Sequence, residues 1–336
     1  MLPRMRRVVS LTFPLALLAS LLALPLGPAS AAEVNAGYQP FLSYAPFFIA
    51  IDNGYFTEAG LTVKAERFIS AQKMMAPAAT GQLDVLGGAV SAGFFNAFAT
   101  GLDMKIVADK GKLSKGNGYL LLAVRKDLYD SGEVRSVKDL AGRTIYNNAP
   151  FTSGEYLLYH ILTSNGVPYD HNKVKYMDIP KMVQGMQTKA VDAGIFVDPW
   201  GTRAEEMGVG KILVTGDQTP GTLDFTSAFF IYTGKFIRER RDDAQKWMNA
   251  YQKGVKFYID KGKQSDEVAT VMNKWTKLEP DLIKKSIHAG FTYDSMPNIK
   301  SVMAMQEWLV KTGNVQKMVP EDQLFDLSFL KAAGKK

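Results

Sequence analysis

The 336-residue chain has no cysteine and only three histidines. The first absence excludes disulfides, thiolate metal sites and a lipid anchor on a terminal cysteine, so stability must come from burial of a core. The second leaves His160, His171 and His288 far apart in sequence, on expected helices or a turn, with little to recommend them as metal ligands or as an active site. A G-x-S-x-G elbow, a Walker loop and a G-x-G-x-x-G after a strand are also missing, and Gly87-Gly88 alone is too little for a phosphate loop. The marked apolar run from Leu11 to Leu26 is short and interrupted by Pro14 and Pro25, which argues against a membrane span. Arg4, Arg6 and Arg7 precede it and Ala29-Ser30-Ala31 follows it, so residues 1–32 read as a secretory signal peptide cleaved near Ala32 or Glu33. Arg6-Arg7 leaves a twin-arginine route open beside the general one. The expected product is a periplasmic protein without a lipid anchor.

Excess charge is scarce as well. The formal charge of +7 loses three arginines and no acid with the leader, leaving +4. Lys and Arg are dispersed, and "RERRDD" at 238–243 carries its own acids, so no nucleic-acid partner is expected. No internal repeat or low-complexity tract is present.

What the chain does contain is a rhythm of short apolar runs alternating with helical stretches. The runs are "VNAGY" (34–38), "LTVKA" (61–65), "LDVLG" (83–87), "MKIVA" (104–108), "YLLLAV" (119–124), "TIYN" (144–147), "VKYMD" (174–178), "AGIFV" (193–197) and "KILVT" (211–215). Such alternation means α/β, and nine strands exceed one ordinary sheet. Amphipathic helices are expected around 72–80, 155–165 and 181–190. After "SAFFIY" (227–232) the period becomes helical through Ala244, Trp247, Met248, Tyr251, Val255, Tyr258 and Ile259, and then Ile299, Val302, Met303 and Trp308. Met74, Met75, Met182 and Met186 read as core filler.

Three expected helix starts follow strands. "YAPFFIAIDNG" (44–54) is apolar on nearly every side, with Ser43 placed to cap, Pro46 in the first turn and Gly54 as the stop. "GGAVSAGF" (87–94) opens a helix at or near Ser91, and Thr152 and Ser153 stand at the next N-cap. Together these starts are expected to converge on one crevice at the carboxyl ends of strands, where open α/β sheets bind ligands.

At "APFFIAIDNGYFTEAGLTV" (45–63), "AATGQLDVLGGAVSA" (78–92), "SVKDLAGRTI" (136–145), "VQGMQTKAVDAGIFVDPW" (183–200) and the tail "VPEDQLFDLSFLKAAG" (319–334), the chain resembles the periplasmic solute-binding proteins of ABC importers for nitrate, sulfonates and taurine, grouped with thiamine-pyrimidine precursor proteins. The resemblance implies a two-lobed periplasmic binding protein of the second type, a Venus flytrap of mixed sheets flanked by helices and joined by two crossover strands. The crossings are expected near 112–122 and 223–232. Lobe one would combine 33–115 with 230–336, and lobe two would be the insert 116–229.

It implies further that Phe41, Ser43, Tyr44, Ala45, Phe68, Ser91 and Ala92 line the lobe-one wall. Asn117 near the hinge, Thr152, Ser153, Gly154, Asp198, Trp200 and Phe225 would face them. For the aromatics an ordinary core place is the alternative, and for Asp198 an N-cap or a structural acceptor before Pro199. Lys189-Ala190 departs from the Gly-polar turn expected before "VDA", and no Lys or Arg lies within the named loops, so a small anion would rest on N–H donors alone. The expected function is hinge-closing capture of a small organic anion, sulfonate-like, taurine-like or an aromatic carboxylate, for an ABC permease, by a monomer without cofactor or metal. Ser91, Thr152 and Ser153 would hold the anionic end. Alternatives are a pyrimidine-precursor binder, a ligand-presenting partner of a membrane sensor, and a pyrimidine synthase-type enzyme.

Overall fold

The computed structural model describes residues 31–333, so all but the last two residues of the expected leader lie outside the described residues. Ten strands form two five-stranded sheets. β1 (Ala32–Tyr38), β2 (Leu61–Arg67), β3 (Val85–Ala89), β4 (Met104–Lys112) and β10 (Thr226–Thr233) build the first, in the order β2-β1-β3-β10-β4. β5 (Leu120–Arg125), β6 (Ile145–Asn147), β7 (Val174–Tyr176), β8 (Ala193–Val197) and β9 (Gly210–Thr215) build the second, in the order β7-β6-β8-β5-β9. Each sheet is parallel except for one strand, β10 in the first and β5 in the second, and each of these is the first strand after the chain changes sheet. The chain passes over between β4 and β5 and returns between β9 and β10.

The helices that position the candidate residues are α1 (Ala45–Asp52), α2 (Gln72–Ala79), α3 (Ala92–Ala99), α4 (Ser153–Ser164), α5 (Ile179–Gln187), α6 (Trp200–Glu206), α7 (Arg241–Lys261), α8 (Asp266–Thr276) and α9 (Ile299–Lys311). Among the described residues no helix is long and apolar enough to cross a membrane. Met74, Met182 and Met186 are core residues and Met75 packs against the core.

α1 is buried from Ala45 to Ala50, as its unbroken apolar sequence requires. Phe48 stacks flat on Trp275 of α8 at 4.7 Å between ring centroids, and Phe47 meets Trp247 of α7. α7 approaches α1 at Gly254, where a β-carbon would stand 2.1 Å from the Pro46 carbonyl oxygen. Only glycine allows that crossing. Gly54 ends this segment in the left-handed region at φ 75°, as expected, but Tyr44 rather than Ser43 occupies the N-cap. Ser43 lies one residue earlier in a 3-10 turn, and its hydroxyl is taken by a lysine. Lys189, which stands where a Gly-polar turn was expected, takes φ 64° just past α5, the left-handed C-terminal conformation glycine usually supplies.

Candidate functional site

The carboxyl ends of the parallel strands β1, β3 and β4 lie on one edge of the first sheet, and the loops beyond the first two carry Ser43 and Ser91. The apolar run of β4 ends at Ala108, where charge begins, whereas the strand runs on through Asp109, Lys110 and Lys112, all buried. Asp109 accepts the Gly111 amide at 2.6 Å and stands 3.6 Å from Lys112 Nζ, and Lys112 in turn donates to the Met296 carbonyl. Lys110 Nζ donates to Ser43 Oγ at 2.9 Å and sits 3.9 Å from the centre of the Tyr44 ring. Burial pushes Asp109 up to about 7 against the pull of Lys112, and pushes the Lys110 ammonium down to about 7 against the pull of Asp109.

Glycine makes the room for this arrangement. A β-carbon on Gly87 would stand 2.7 Å from the Tyr44 hydroxyl and 2.9 Å from Lys110 Cδ. At Gly111 it would meet Tyr119 Oη, Ala289 Cβ and Ser43 Cβ at 3.0, 3.2 and 3.3 Å. Tyr119 leads into β5, so Ser43 and Lys110 lie where the two sheets approach each other. The Tyr119 hydroxyl is 2.8 Å from Ser227 Oγ, which donates to the Gly111 carbonyl.

The second meeting point is at Ser91. It caps α3, accepting the Phe94 amide, and forms an antiparallel bridge with Thr152, the N-cap of α4. The Ala92 amide donates to the Phe151 carbonyl at 3.0 Å, and the Ser153 amide to the Val90 carbonyl at 2.9 Å. Two helix starts on different sheets are thus fastened backbone to backbone. Phe151 reaches this position in the left-handed region, φ 53°, held by Glu155. The fully buried Glu155 carboxylate accepts the Phe151 amide, the Tyr169 and Tyr176 hydroxyls and His171 Nδ1 at 2.7, 2.6, 3.0 and 2.8 Å. Gly154 allows α4 to pass Asn147, whose Oδ1 would be 2.9 Å from a β-carbon there.

Asp198 forms a third joint. Its carboxyl accepts the Thr202 amide and hydroxyl at 2.9 and 2.7 Å, in the first turn of α6, and the Ile287 amide at 2.6 Å from the C-terminal third of the chain. Burial raises its affinity for a proton while these donors oppose the rise. Protein donors thus occupy Asp198, which stands before the N-cap Pro199 as a structural acceptor for the first turn of α6 and for a distant segment.

The remaining candidates are spread more widely. Ala45 is buried at the start of α1, and Phe41 packs against core residues of both sheets. Phe68, whose amide donates to the Tyr38 carbonyl, packs at the edge of the core. Trp200 opens α6 with the Arg203 guanidinium 5.7 Å from its ring centre. Phe225 is core, 5.3 Å from the Tyr156 ring. Asn117 lies on the crossing, where its side chain is held by Ser114 and Lys263. Lys110, Asp109, Tyr119 and Glu155 were missed. A charged triplet inside an apolar strand is the signal that marks the first two.

His288 is buried with Nε2 on the Ile283 carbonyl, and burial pushes its pKa down to about 4. Among the described residues no three His, Asp or Glu side chains are placed to hold a metal ion.

The protein YtlA of Bacillus subtilis (strain 168) is 22% identical over 290 residues, covering 84% of this chain and 83% of its own. A ligand binding component of an ABC-type import system from Staphylococcus aureus, solved with zinc bound, superposes with a TM-score of 0.74 at 14% identity, over 91% of this chain and 100% of that one. The periplasmic aliphatic sulphonate binding protein SsuA of Escherichia coli gives 0.69 at 17% identity, over 88% and 97%. At such identities the likeness establishes the fold, the two-lobed periplasmic binding protein type II arrangement. The model of the NMT1-like family matches residues 27–273, well over half of the sequence, and the chain belongs to that family.

Proposed function

We propose that this protein is the solute-binding component of an ABC import system, exported to the periplasm, that captures a small organic anion between two lobes and closes over it. Lobe one is taken as 33–115 with 230–336, and lobe two as 116–229. The observation that carries the reading is the fastening of α3 to α4 through Ser91 and Thr152, since a ligand seated between segments joined in this way has a direct route to stabilising the closed pair. The import system and the sulphonate named for the two structural neighbours support it, while the zinc in one of them leaves ligand class to experiment. Sulfonates, taurine and aromatic carboxylates are the preferred cargo, with an ABC permease as the membrane partner and no bond made or broken.

The test is a thermal-shift panel on the chain beginning at Glu33 with taurine, ethanesulfonate, nitrate, bicarbonate, benzoate and cytosine. A compound that binds only the folded state adds about 2.7 kcal/mol at a hundred times its Kd. That should raise Tm by roughly 4 °C for a chain of this size. Recovery of a chemically altered compound after incubation would sink the capture-only reading.

Asp198 offers a second check, because its bond to the Ile287 amide spans the proposed lobes. Asp198→Ala is expected to raise the Kd of the best panel compound about tenfold, which corresponds to about 1.4 kcal/mol. Calorimetry decides it. Unchanged affinity with lower stability would confine Asp198 to holding the first turn of α6.

A further inference from the structure

Lys110 is only 2% exposed, yet among the described residues no carboxylate lies within 4 Å of its ammonium. Asp109, its neighbour in sequence, turns to Lys112 and to the Gly111 amide. Asp109 stands nearer Lys112 and also pulls on Lys110, so one acid is shared by two buried lysines and one positive charge is left over. Its single side-chain hydrogen bond goes to Ser43 Oγ, and its remaining contact of note is the face of Tyr44. A buried cation without a counter-charge is costly, and folded proteins either neutralise such a group or supply a partner.

The donors around it lack acceptors in the same way. Ser43 receives the lysine proton on its oxygen, which frees its own O–H to donate outward. Two N–H groups of Lys110 are unspent. The acceptors close by are already occupied: the Gly87 carbonyl takes the Tyr44 hydroxyl, and the Gly111 carbonyl takes Ser227. The group stands at the carboxyl ends of β1, β3 and β4, beside Tyr119 from the second sheet, where ligands of open α/β sheets bind. Gly87, by lacking a side chain, leaves the slot through which Lys110 reaches Ser43.

We infer that Lys110 is the charge anchor of the solute site, and that the captured solute carries an oxyanion, a carboxylate or sulfonate, seated on Lys110 Nζ with Ser43 Oγ as second donor. The inference rests on the capture reading above and deepens it by naming the charge of the ligand and the residue that reads it. It also replaces the expectation that an anion would find only N–H donors, two of which, at Ala92 and Ser153, are engaged with carbonyls of the opposite segment. A charge-assisted hydrogen bond in a dry site supplies more affinity than a neutral one, and the anion relieves the isolated cation in the same step.

The test compares wild type with Lys110→Met, which keeps an unbranched chain of similar length, and Lys110→Gln, which removes the charge and keeps an N–H donor on a shorter side chain. Calorimetry is run with ethanesulfonate, benzoate and nitrate, and with benzamide and ethylammonium as neutral and cationic controls. Ethanesulfonate, benzoate and nitrate separate sulfonate, carboxylate and bare-anion chemistry. An anion that binds wild type is expected to lose roughly 10- to 100-fold in affinity in both variants. The ligand-free Lys110→Met protein is expected to melt at or above the wild-type temperature, because a buried unpaired charge has gone.

A third readout needs no variant. The burial that depresses Lys110 should make anion binding take up protons near pH 8, visible as a dependence of the binding heat on the buffer. The titratable groups around it are Asp109 and Lys112 on its strand and Tyr44, Tyr119 and Tyr251 from neighbouring elements. Burial pushes all three tyrosines up, so they carry no charge there.

Equal affinity of an anion for wild type and both variants overturns the proposal, as does a wild type that binds only benzamide or ethylammonium. If no probe binds, the melting comparison decides: a less stable Lys110→Met makes the lysine structural and overturns it. A neutral compound held equally by all three proteins would remove Lys110 while leaving solute capture intact.

Discussion

Glu155→Ala is expected to lower the folding free energy by about 3–5 kcal/mol, as breaking one side of a buried charged network does. The substitution strands the Phe151 amide and the Tyr169 hydroxyl, and takes an acceptor from Tyr176 and His171, which still reach solvent. Glu155→Gln keeps the shape but replaces one acceptor oxygen by a donor facing donors, so it should recover only part of the loss. Urea unfolding of the three proteins measures it. The effect should also reach ligand affinity, because Glu155 holds Phe151 at φ 53° and the Phe151 carbonyl takes the Ala92 amide of α3. A Glu155→Ala protein with wild-type stability would show that this network is idle.

Trp247→Ala should cost a similar amount, about 3–5 kcal/mol, by a different route. The indole is fully buried, with Phe47, Phe56, Phe230, Tyr232 and Tyr251 all within 6 Å between ring centroids. Removing it opens a cavity ringed by rigid aromatics that cannot collapse into the space. Among the described residues its Nε1–H has no hydrogen-bond partner. Trp247→Phe should therefore cost less than about 2 kcal/mol, since it removes an unpaired donor along with some volume. The pair is read by the same unfolding experiment, and equal losses in Phe and Ala would contradict the packing account.

The alternation of short apolar runs with helical periods placed nine of the ten strands, because each run is short, apolar and bounded by turn residues. "AGIFV" is β8 to the residue, and "SAFFIY" lies wholly inside β10. That nine strands exceed one ordinary sheet followed from their number, and their division between two lobes from the family resemblance. Ser91 as a cap was legible because a serine after a strand and before an apolar helix has few other uses.

Only the tertiary structure decided what charge does inside. The apolar run of β4 stops at Ala108 because Asp109, Lys110 and Lys112 break the apolar pattern, and pattern cannot say that one acid would be shared by the two lysines. Asp198 and Glu155 belong with them: a carboxyl's role is set by which donors arrive from distant segments, Ile287 for the first and Tyr169, His171 and Tyr176 for the second. Local sequence carries propensity and burial, which act over neighbouring residues. The pairing of buried polar groups acts through space, and it appears only when the chain has brought its segments together.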